Sequence, residues 1–171
     1  MNILYLADPN SIHDLKWIRY FSQKKEFKTY ILPRYHHNKS FRINNQSLDI
    51  EVLNYIHDFS ILRFYRTLSD AYKIKKIVKR KKIDIIHIIY AEPNALWCLF
   101  RRYFSIPMII SSLGTDVLKT IPETFKKRNL INYAVALAYK MAYLTADIAT
   151  GTSKSQLTSI KKISGGNKKW S

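Results

Sequence analysis

Cysteine and long apolar runs are scarce in this sequence. Cys98 is the only cysteine, so an internal disulfide is impossible and a zinc site built from cysteine thiolates is not expected. No uninterrupted apolar run reaches the roughly 18 residues that a membrane-spanning helix needs. The amino terminus, MNILYLA, lacks a basic leader followed by a cleavage site, which argues against export. These absences predict a cytoplasmic chain that contacts a membrane only peripherally, on its inner face.

Acidic residues are scarce as well. The chain has 29 Lys and Arg against 12 Asp and Glu, which gives a net charge of +17 and an isoelectric point near 9.9. A field of this sign attracts any anion, whether nucleic acid, phosphorylated sugar or acidic lipid headgroup. The hydrophobic share of 47% and the length of 171 residues are typical of one folded globular domain.

Short apolar, β-branched runs alternate with helical patterns along the chain. This alternation predicts a Rossmann-like α/β fold, a doubly wound parallel sheet in a single domain. Residues 33–48 show no clean period and are expected to form an exposed loop. The predicted strands are Asn2–Ala7, Lys28–Leu32, Asp49–Asn54, Asp84–Ile89, Pro107–Ser112 and Asp147–Gly151.

Three longer segments have apolar residues at helical spacing. They are predicted to be amphipathic helices, each packing one apolar stripe inward. The first begins at Ser11, a favoured N-cap residue, and ends near Lys25. The stripes are Ile12, Leu15 and Ile18 in 11–25, Ile61, Tyr65, Leu68 and Tyr72 in 60–82, and Leu130, Ala134, Leu137 and Met141 in 125–144.

The stretch from Ile83 to Leu118 has the pattern of strand, loop, helix, strand and polar loop. Parallel strands need such a crossover between them. The loops 90–94 and 113–117 therefore follow the carboxyl ends of two strands, where open α/β sheets bind their ligands.

At this point the sequence resembles the amino-terminal half of family 4 glycosyltransferases of the GT-B fold. Four motifs in the family's order carry the resemblance and together cover nearly the whole chain. They are Pro9-Asn10-Ser11-Ile12-His13 with Trp17, then Asp84 to His87 with Ala91 to Pro93, then Gly114-Thr115-Asp116, and finally Ala146-Asp147-Ile148 with Thr152 and Ser153.

The resemblance implies the acceptor-binding half of a retaining enzyme. Such an enzyme transfers a sugar from a nucleotide-sugar donor to a glycan or lipid-linked acceptor, without a bound metal or other cofactor. Residues 1–164 would form this domain, and 165–171, beginning with Gly165 and Gly166, would start an interdomain linker or form a tail. The family's carboxyl-terminal, donor-binding domain is missing from the sequence, so the chain alone is expected to have little or no activity.

The first loop and helix carry the first group of candidate site residues. His13 is expected to hydrogen-bond to the acceptor or donor sugar, with Trp17 or Tyr20 stacking on a sugar ring. A surface histidine above a half-buried tryptophan is the alternative interpretation. Asn10 and Ser11 complete the predicted substrate-binding residues of this loop.

The second group follows the later strands. Gly114 permits a backbone turn, and Thr115 and Asp116 follow it. Asp116 either orients an acceptor hydroxyl, holds the loop, or caps the next helix. Glu92 is either a general base or a partner for the positive end of a helix. Ser153 caps the last helix and is predicted to contact substrate.

His13, Asp116 and Glu92 are thus the catalytic candidates, and no nucleophile is assigned. Two departures from the family pattern bear on them. Relatives often have a glycine-rich first loop, whereas this chain has Asp8-Pro9-Asn10, which disfavours close backbone binding of a diphosphate. Relatives also often have a histidine at the position of Leu113. His36 and His37 lack ligand partners at suitable spacing, so no metal site is assigned.

A dense basic run lies between the third and fourth predicted strands. It is either a solvated helix end or a patch that binds an acidic membrane surface. The rival function for the whole chain is a non-enzymatic α/β module that binds nucleic acid, but no nucleic-acid-binding motif appears, so this partner is not expected. The residues of the run are Lys73, Lys75, Lys76, Lys79, Arg80, Lys81 and Lys82.

Overall fold

A computed structural model describes residues 1–34, 50–126 and 129–166. The chain forms two compact units, Met1–His87 and Ile88–Ser171. Most of the predicted loop 33–48, including His36 and His37, and residues 167–171 of the predicted linker lie outside the described residues.

The strands form one parallel sheet of six strands in the order β3-β2-β1-β4-β5-β6. This is the strand order of the Rossmann fold, which runs outward in both directions from β1 and β4. The predicted fold class and all six predicted strands are confirmed. Their bounds are β1 Asn2–Leu6, β2 Lys28–Leu32, β3 Ile50–Val52, β4 Ile85–Ile89, β5 Met108–Ser112 and β6 Ile148–Gly151.

In the amino-terminal unit, helix α1 spans Ile12–Ser22 and helix α2 spans Phe64–Arg80. The pairing of β1 with β2 places Leu4 opposite Tyr30. Four of the five residues in each of these strands are buried. Continuous burial of this kind explains why the strands are apolar at successive positions rather than at alternate ones.

In the carboxyl-terminal unit, the crossover from β4 to β5 differs from the single helix that was predicted. It consists of a short helix α3 (Ala91–Asn94), a 3₁₀ segment (Ala95–Phe100) and a short helix α4 (Arg101–Phe104). Glu92 interrupts the first turn because its backbone is extended, with φ −99° and ψ 125°. A π-helical turn (Asp116–Thr120) then leads into helix α5 (Ile121–Lys126).

The last two helices of this unit are α6 (Leu130–Thr145) and α7 (Lys154–Ser164). Asn129 and Ser153 cap them, since each side chain accepts a hydrogen bond from the backbone N–H three residues later. Ser11 caps α1 in the same way, as predicted. Gly165 ends α7 in a left-handed conformation with φ +82°, which glycine adopts at low cost.

The inward stripe predicted for α2 is wrong. Ile61, Tyr65, Leu68 and Tyr72 are exposed by 41%, 68%, 47% and 64%. The buried face instead includes Thr67 and Asp70 beside Ala71, Ile74 and Val78. Thr67 donates to the carbonyl of Ser60, and Asp70 accepts from His57 and Lys73. The apolar pattern therefore predicts the exposed face of α2, because two of the side chains on its buried face, Thr67 and Asp70, are polar and form hydrogen bonds within the protein.

The stripe predicted for α6 is wrong for a related reason. Leu130, Ala134, Leu137 and Met141 are all exposed. The buried residues are instead small ones and tyrosines, namely Ala136, Tyr139, Ala142 and Tyr143. In α1 the prediction holds for Ile18, which is buried, but fails for Ile12, which is 83% exposed at the first position of the helix.

Cys98 is fully buried beside Trp97 and Leu96, as expected of a core thiol. Among the described residues, none of the helices has both the length and the apolar character that crossing a membrane requires.

Strand β4 buries a histidine whose protonation is disfavoured. His87 is 8% exposed, and its ring lies 5.2 Å from that of Tyr5. Burial lowers the pKa of His87 from 6.5 to about 4. His87 therefore gains a proton near pH 6.5 in the unfolded chain but only near pH 4 in the folded one. Because the unfolded state binds more protons between these values, the free energy of unfolding falls as the pH drops from 6.5 to 4.

Replacing His87 with Phe should remove this pH dependence. Between pH 7 and pH 4.5 the parent should lose about 2 to 3 kcal/mol of unfolding free energy that the His87→Phe chain retains. Urea unfolding at both pH values measures the difference. Equal losses in the two proteins would show that His87 does not titrate in this way.

Candidate functional site

The loops that follow β4 and β5 are joined by one carboxylate, that of Asp116. One of its oxygens, Oδ2, accepts the backbone N–H of Ala91 at 2.7 Å and that of Leu113 at 3.4 Å. The other, Oδ1, accepts the N–H groups of Gly114 and Val117, each at 2.9 Å. Residues 25 positions apart in sequence are thus held together at the carboxyl ends of two strands.

Asp116 has no exposed surface and therefore belongs to the core of this unit. Burying a carboxylate is costly unless hydrogen bonds compensate for its lost hydration. Here backbone N–H groups provide that compensation. Of the interpretations left open by the sequence, the described contacts match the one in which Asp116 holds the loop.

Gly114 occupies a backbone conformation that other residues resist. Its φ is +133°, and a Cβ added there would lie 3.3 Å from Nε2 of Gln156. The turn after β5 therefore requires glycine for its dihedral angle, and any larger residue would also displace the Gln156 amide by a few tenths of an ångström. Thr115, the next residue, is exposed.

Gln156 also organises the loop after β6. Its Oε1 accepts the backbone N–H of Thr152 at 2.7 Å, and its own N–H is capped by Ser153. Ser159, one turn further along α7, donates to the carbonyl of Val117. The start of α7 is thereby tied to the loops after both β5 and β6, and Ser153 itself stays exposed.

Two tyrosines of α6 lie in the same electrostatic neighbourhood. The hydroxyls of Tyr143 and Ser112, the last residue of β5, are 3.1 Å apart. Burial raises the pKa of both Tyr139 and Tyr143 well above the ordinary phenol value, and the charges of Glu92 and Asp116 raise that of Tyr139 further. Both phenols therefore remain protonated and act as hydrogen-bonding groups, not as charged ones.

The first loop, in the amino-terminal unit, is held by a buried carboxylate of its own. Asp14 Oδ2 accepts the backbone N–H of Asp8 at 2.9 Å, and its Oδ1 accepts the hydroxyl of Ser11 at 2.8 Å. Burial raises the pKa of Asp14 above the usual aspartate range, although these two hydrogen bonds oppose the rise. Asp14 thus does in this unit what Asp116 does in the other.

The predicted residues of the first loop are mostly at the surface. Asn10 and His13 are exposed, Ser11 is half-buried as the cap of α1, and Trp17 is 37% exposed. Asn10 is held in place because its backbone N–H donates to Oδ1 of Asp8 at 2.9 Å. His13 and Trp17 therefore present side chains that can meet a ligand.

The site residues of the second group form one neighbourhood. Asp116 ties the segment of Glu92 to Gly114 and Thr115. The side chain of Gln156, whose backbone N–H is capped by Ser153, lies near Gly114. Glu92 is half-buried. The convergence of this neighbourhood with His13 and Asn10, which belong to the other unit, stays a prediction.

Sequence reasoning missed Asp14 and Gln156, although a signal for both was present. Ser11-Ile12-His13-Asp14 and Ser153-Lys154-Ser155-Gln156 each place a polar side chain three residues after a serine cap. This spacing is that of a capping box, in which the second side chain returns to a backbone N–H near the cap. In both cases the second side chain reaches beyond the cap into the preceding loop.

A groove of about 230 Å³ lies elsewhere in the amino-terminal unit, between α2 and the segment after β3. None of the predicted site residues lines it. Its walls combine apolar and cationic side chains, among them Leu53, Ile56, Lys73, Lys76 and Arg80. Within the three described ranges, no group of three or more His, Cys, Asp and Glu side chains could hold a metal ion.

Two solved structures resemble the chain in fold. The UDP-GlcNAc 2-epimerase from Methanocaldococcus jannaschii matches with a TM-score of 0.62 and 15% identity, over 98% of this chain and 42% of that one. The co-structure of S. aureus MnaA with UDP matches with a TM-score of 0.57 and 12% identity, over 97% of this chain and 41% of that one. The chain therefore spans about two fifths of the length of either protein.

Comparison with curated proteins finds no match. A family profile, described as glycosyl transferase 4-like, matches residues 2–147. This match covers five of the six strands and both buried aspartates that hold the loops, Asp14 and Asp116. The chain therefore belongs to the glycosyl transferase 4-like family.

Proposed function

We propose that this chain is the acceptor-binding half of a retaining glycosyltransferase, which moves a sugar from a nucleotide-sugar donor to a glycan or lipid-linked acceptor. The observation that carries the proposal is the family match over residues 2–147. The loops held by Asp116 support it, because they present polar groups at the end of the sheet where such folds bind ligands. A cytoplasmic location, as expected from the sequence, is part of the proposal.

In this proposal the exposed neutral groups contact the sugar, and the buried carboxylates position them. The hydroxyls of Thr115 and Ser153 would bind acceptor hydroxyls, and Glu92 would accept a proton or a hydrogen bond. His13 would donate to a sugar oxygen, and Trp17 would stack on a ring. Asp116 would act as a positioning residue, since its oxygens are engaged by backbone N–H groups.

The donor would be bound mainly by a second Rossmann-like half, which agrees with the greater length of both structural neighbours. To test this, the chain and a version extended by the coding sequence downstream of Ser171 are incubated with UDP- and GDP-sugars and a lipid extract. Release of nucleoside diphosphate is measured. We expect release from the extended protein and little or none from the 171-residue chain.

The same two proteins also test the rival function, in which the chain is a non-enzymatic module that binds nucleic acid. If the chain is a nucleic-acid-binding module, it should bind duplex or single-stranded oligonucleotides with an affinity that falls steeply with salt. Tight oligonucleotide binding, together with an extension that encodes no second Rossmann-like half, would contradict the proposal.

Asp116 is proposed to position the loop and its neighbour Thr115 to contact the sugar, so substitutions of the two residues should have different effects. Asp116→Asn should lower the unfolding free energy by about 2 to 4 kcal/mol, because buried backbone N–H groups lose an acceptor. Thr115→Ala should leave stability within about 0.5 kcal/mol and lower turnover of the extended enzyme roughly tenfold. Urea unfolding and nucleoside diphosphate release measure the two effects, and a large loss of stability in Thr115→Ala would place that residue in the core instead.

His13 offers a second test in the extended enzyme. His13→Ala should reduce turnover roughly tenfold or more and change stability by less than about 0.5 kcal/mol, since the side chain is exposed. Lys16→Ala is the matched control, because Lys16 is exposed on the same helix and has no proposed role. Unchanged turnover in both variants would remove His13 from the site.

A further inference from the structure

Helix α2 has an apolar stripe on its exposed side. The stripe consists of Ile61, just before the helix, and Tyr65, Leu68 and Tyr72 within it, exposed by 41%, 68%, 47% and 64%. The spacing of three and four residues between Tyr65, Leu68 and Tyr72 places these three on one face of the helix. Leu62 and Phe64 add further exposed apolar surface, at 81% and 51%. Six large apolar side chains exposed along one segment are typical of a contact surface.

The stripe continues directly into cations. Lys76 follows Tyr72 by four residues and Lys79 follows Lys76 by three, which keeps them along the same side of the helix. Lys76, Lys79 and Lys82 are all exposed. Among the described residues none of these three has an ion-pair partner.

Negative charge is nearly absent from this segment. Residues 61–82 contain nine Lys and Arg and a single acid, Asp70. Asp70 is buried and bonds to Lys73 at 2.7 Å and to the ring of His57 at 2.9 Å. Burial tends to raise its pKa, but these partners outweigh that tendency and keep the pKa below the ordinary value. The outer side of α2 therefore carries the apolar stripe along its first half, beside the exposed Arg63 and Arg66, and is cationic along its second half.

The groove beside α2 extends the cationic surface. Lys73, Lys76 and Arg80 line it, and its apolar walls come from residues such as Leu53 and Ile56. A groove with this lining can receive a phosphate group at its cations while its apolar walls contact a hydrocarbon segment.

We propose that the outer side of α2 docks onto an anionic lipid bilayer. The apolar stripe enters the headgroup and acyl boundary, with the two tyrosines at the level where amphipathic rings are favoured. Lys76, Lys79, Lys82 and the cations of the groove contact lipid phosphates. This inference does not depend on glycosyl transfer. It adds the apolar stripe of α2 to the basic membrane patch predicted from sequence, and reversible membrane binding needs both apolar and electrostatic contacts.

The composition of the surface favours a bilayer over other partners. Nucleic acid would explain the cations but not Ile61, Leu62 and Leu68 beside them. A second protein copy would explain the apolar stripe, but a surface with the same excess of cations would leave Lys76, Lys79 and Lys82 without an anionic partner. Helix α6 provides the contrast, because its exposed face is equally apolar and Lys140 is its only charged residue between Leu130 and Thr145.

Cosedimentation with vesicles tests the proposal on the chain as it stands. The parent should bind vesicles of phosphatidylcholine mixed with phosphatidylglycerol, bind phosphatidylcholine alone weakly, and lose affinity as salt is added. No nucleotide sugar is present, so the outcome is independent of the proposed transferase activity. Equal binding to both kinds of vesicle, or binding to neither, would overturn the proposal.

Two triple variants separate the apolar and cationic contributions. Replacing Lys76, Lys79 and Lys82 with Gln should lower the partition coefficient about a hundredfold, at roughly fivefold for each lysine. The matched control replaces Lys25, Lys154 and Lys161, which are exposed elsewhere, and should change binding far less. Equal losses in the two charge variants would show that only net charge matters and would overturn a specific role for α2.

The apolar variant replaces Tyr65, Leu68 and Tyr72 with Gln. It should bind anionic vesicles at least tenfold more weakly than the parent, whereas the same change at Leu130, Tyr133 and Leu137 of α6 should have little effect. Circular dichroism and urea unfolding check that both variants fold. Parental binding by the folded α2 variant would overturn insertion of the stripe.

A fluorescent probe reports insertion directly. Cysteine is introduced at Leu68, or at Leu137 as the control, in a Cys98→Ser background, and is labelled with an environment-sensitive dye. On anionic vesicles the dye at position 68 should shift to the blue and be quenched by lipids carrying a bromine in the acyl chain, whereas the dye at position 137 should not. If sedimentation velocity instead shows an α2-dependent dimer and position 68 is not quenched, the stripe is a protein interface and the proposal is wrong.

Discussion

The carboxylate of Asp116 is the interaction on which the ligand-binding end of the carboxyl-terminal unit depends. It has no exposed surface and accepts backbone N–H groups from the segment after β4 and from the turn after β5. Few alternatives exist for those donors, because loops that pack inward must find acceptors within the protein. The positions of Glu92, Gly114 and Thr115 therefore all follow from one side chain that need not contact a substrate.

In the amino-terminal unit a buried carboxylate, that of Asp14, likewise holds a loop through its hydrogen bonds. It reaches back from the first turn of α1 to the loop after β1, as Gln156 does from α7 to the loop after β6. In each case a side chain at a helix start fixes the loop that precedes it. The hydroxyl of Thr115 on one of these loops, and the imidazole of His13 and the indole of Trp17 on α1, then have exposed surface in defined places. This arrangement suits them to recognising a polar ligand such as a sugar.

The sheet could be predicted from sequence, but the faces of the helices could not. Strands such as Ile85–Ile89 are apolar at almost every position because both of their faces are covered, and His87 is the one polar exception. In α2 the inward face carries Thr67 and Asp70, whose partners Ser60 and His57 lie outside the helix. The sequence predicts Asp116 as a site residue but not as a buried one. Its burial depends on a hydrogen bond from the backbone N–H of Ala91, which lies 25 residues away and is related to it by no local pattern. Local sequence patterns therefore do not predict burial where it depends on polar contacts between segments that are distant in sequence.

Three of the chain's few acids, Asp14, Asp70 and Asp116, are buried, and this changes what another molecule meets. Each of these carboxylates is satisfied within the protein by a backbone N–H, a hydroxyl, a histidine ring or a lysine. The negative charge that remains at the surface is smaller than the composition implies. The net charge of +17 makes copies of the chain repel one another at low ionic strength until salt or a polyanion screens them. Burial of these aspartates acts at shorter range, because it removes acidic groups with which the lysines of a second copy could pair.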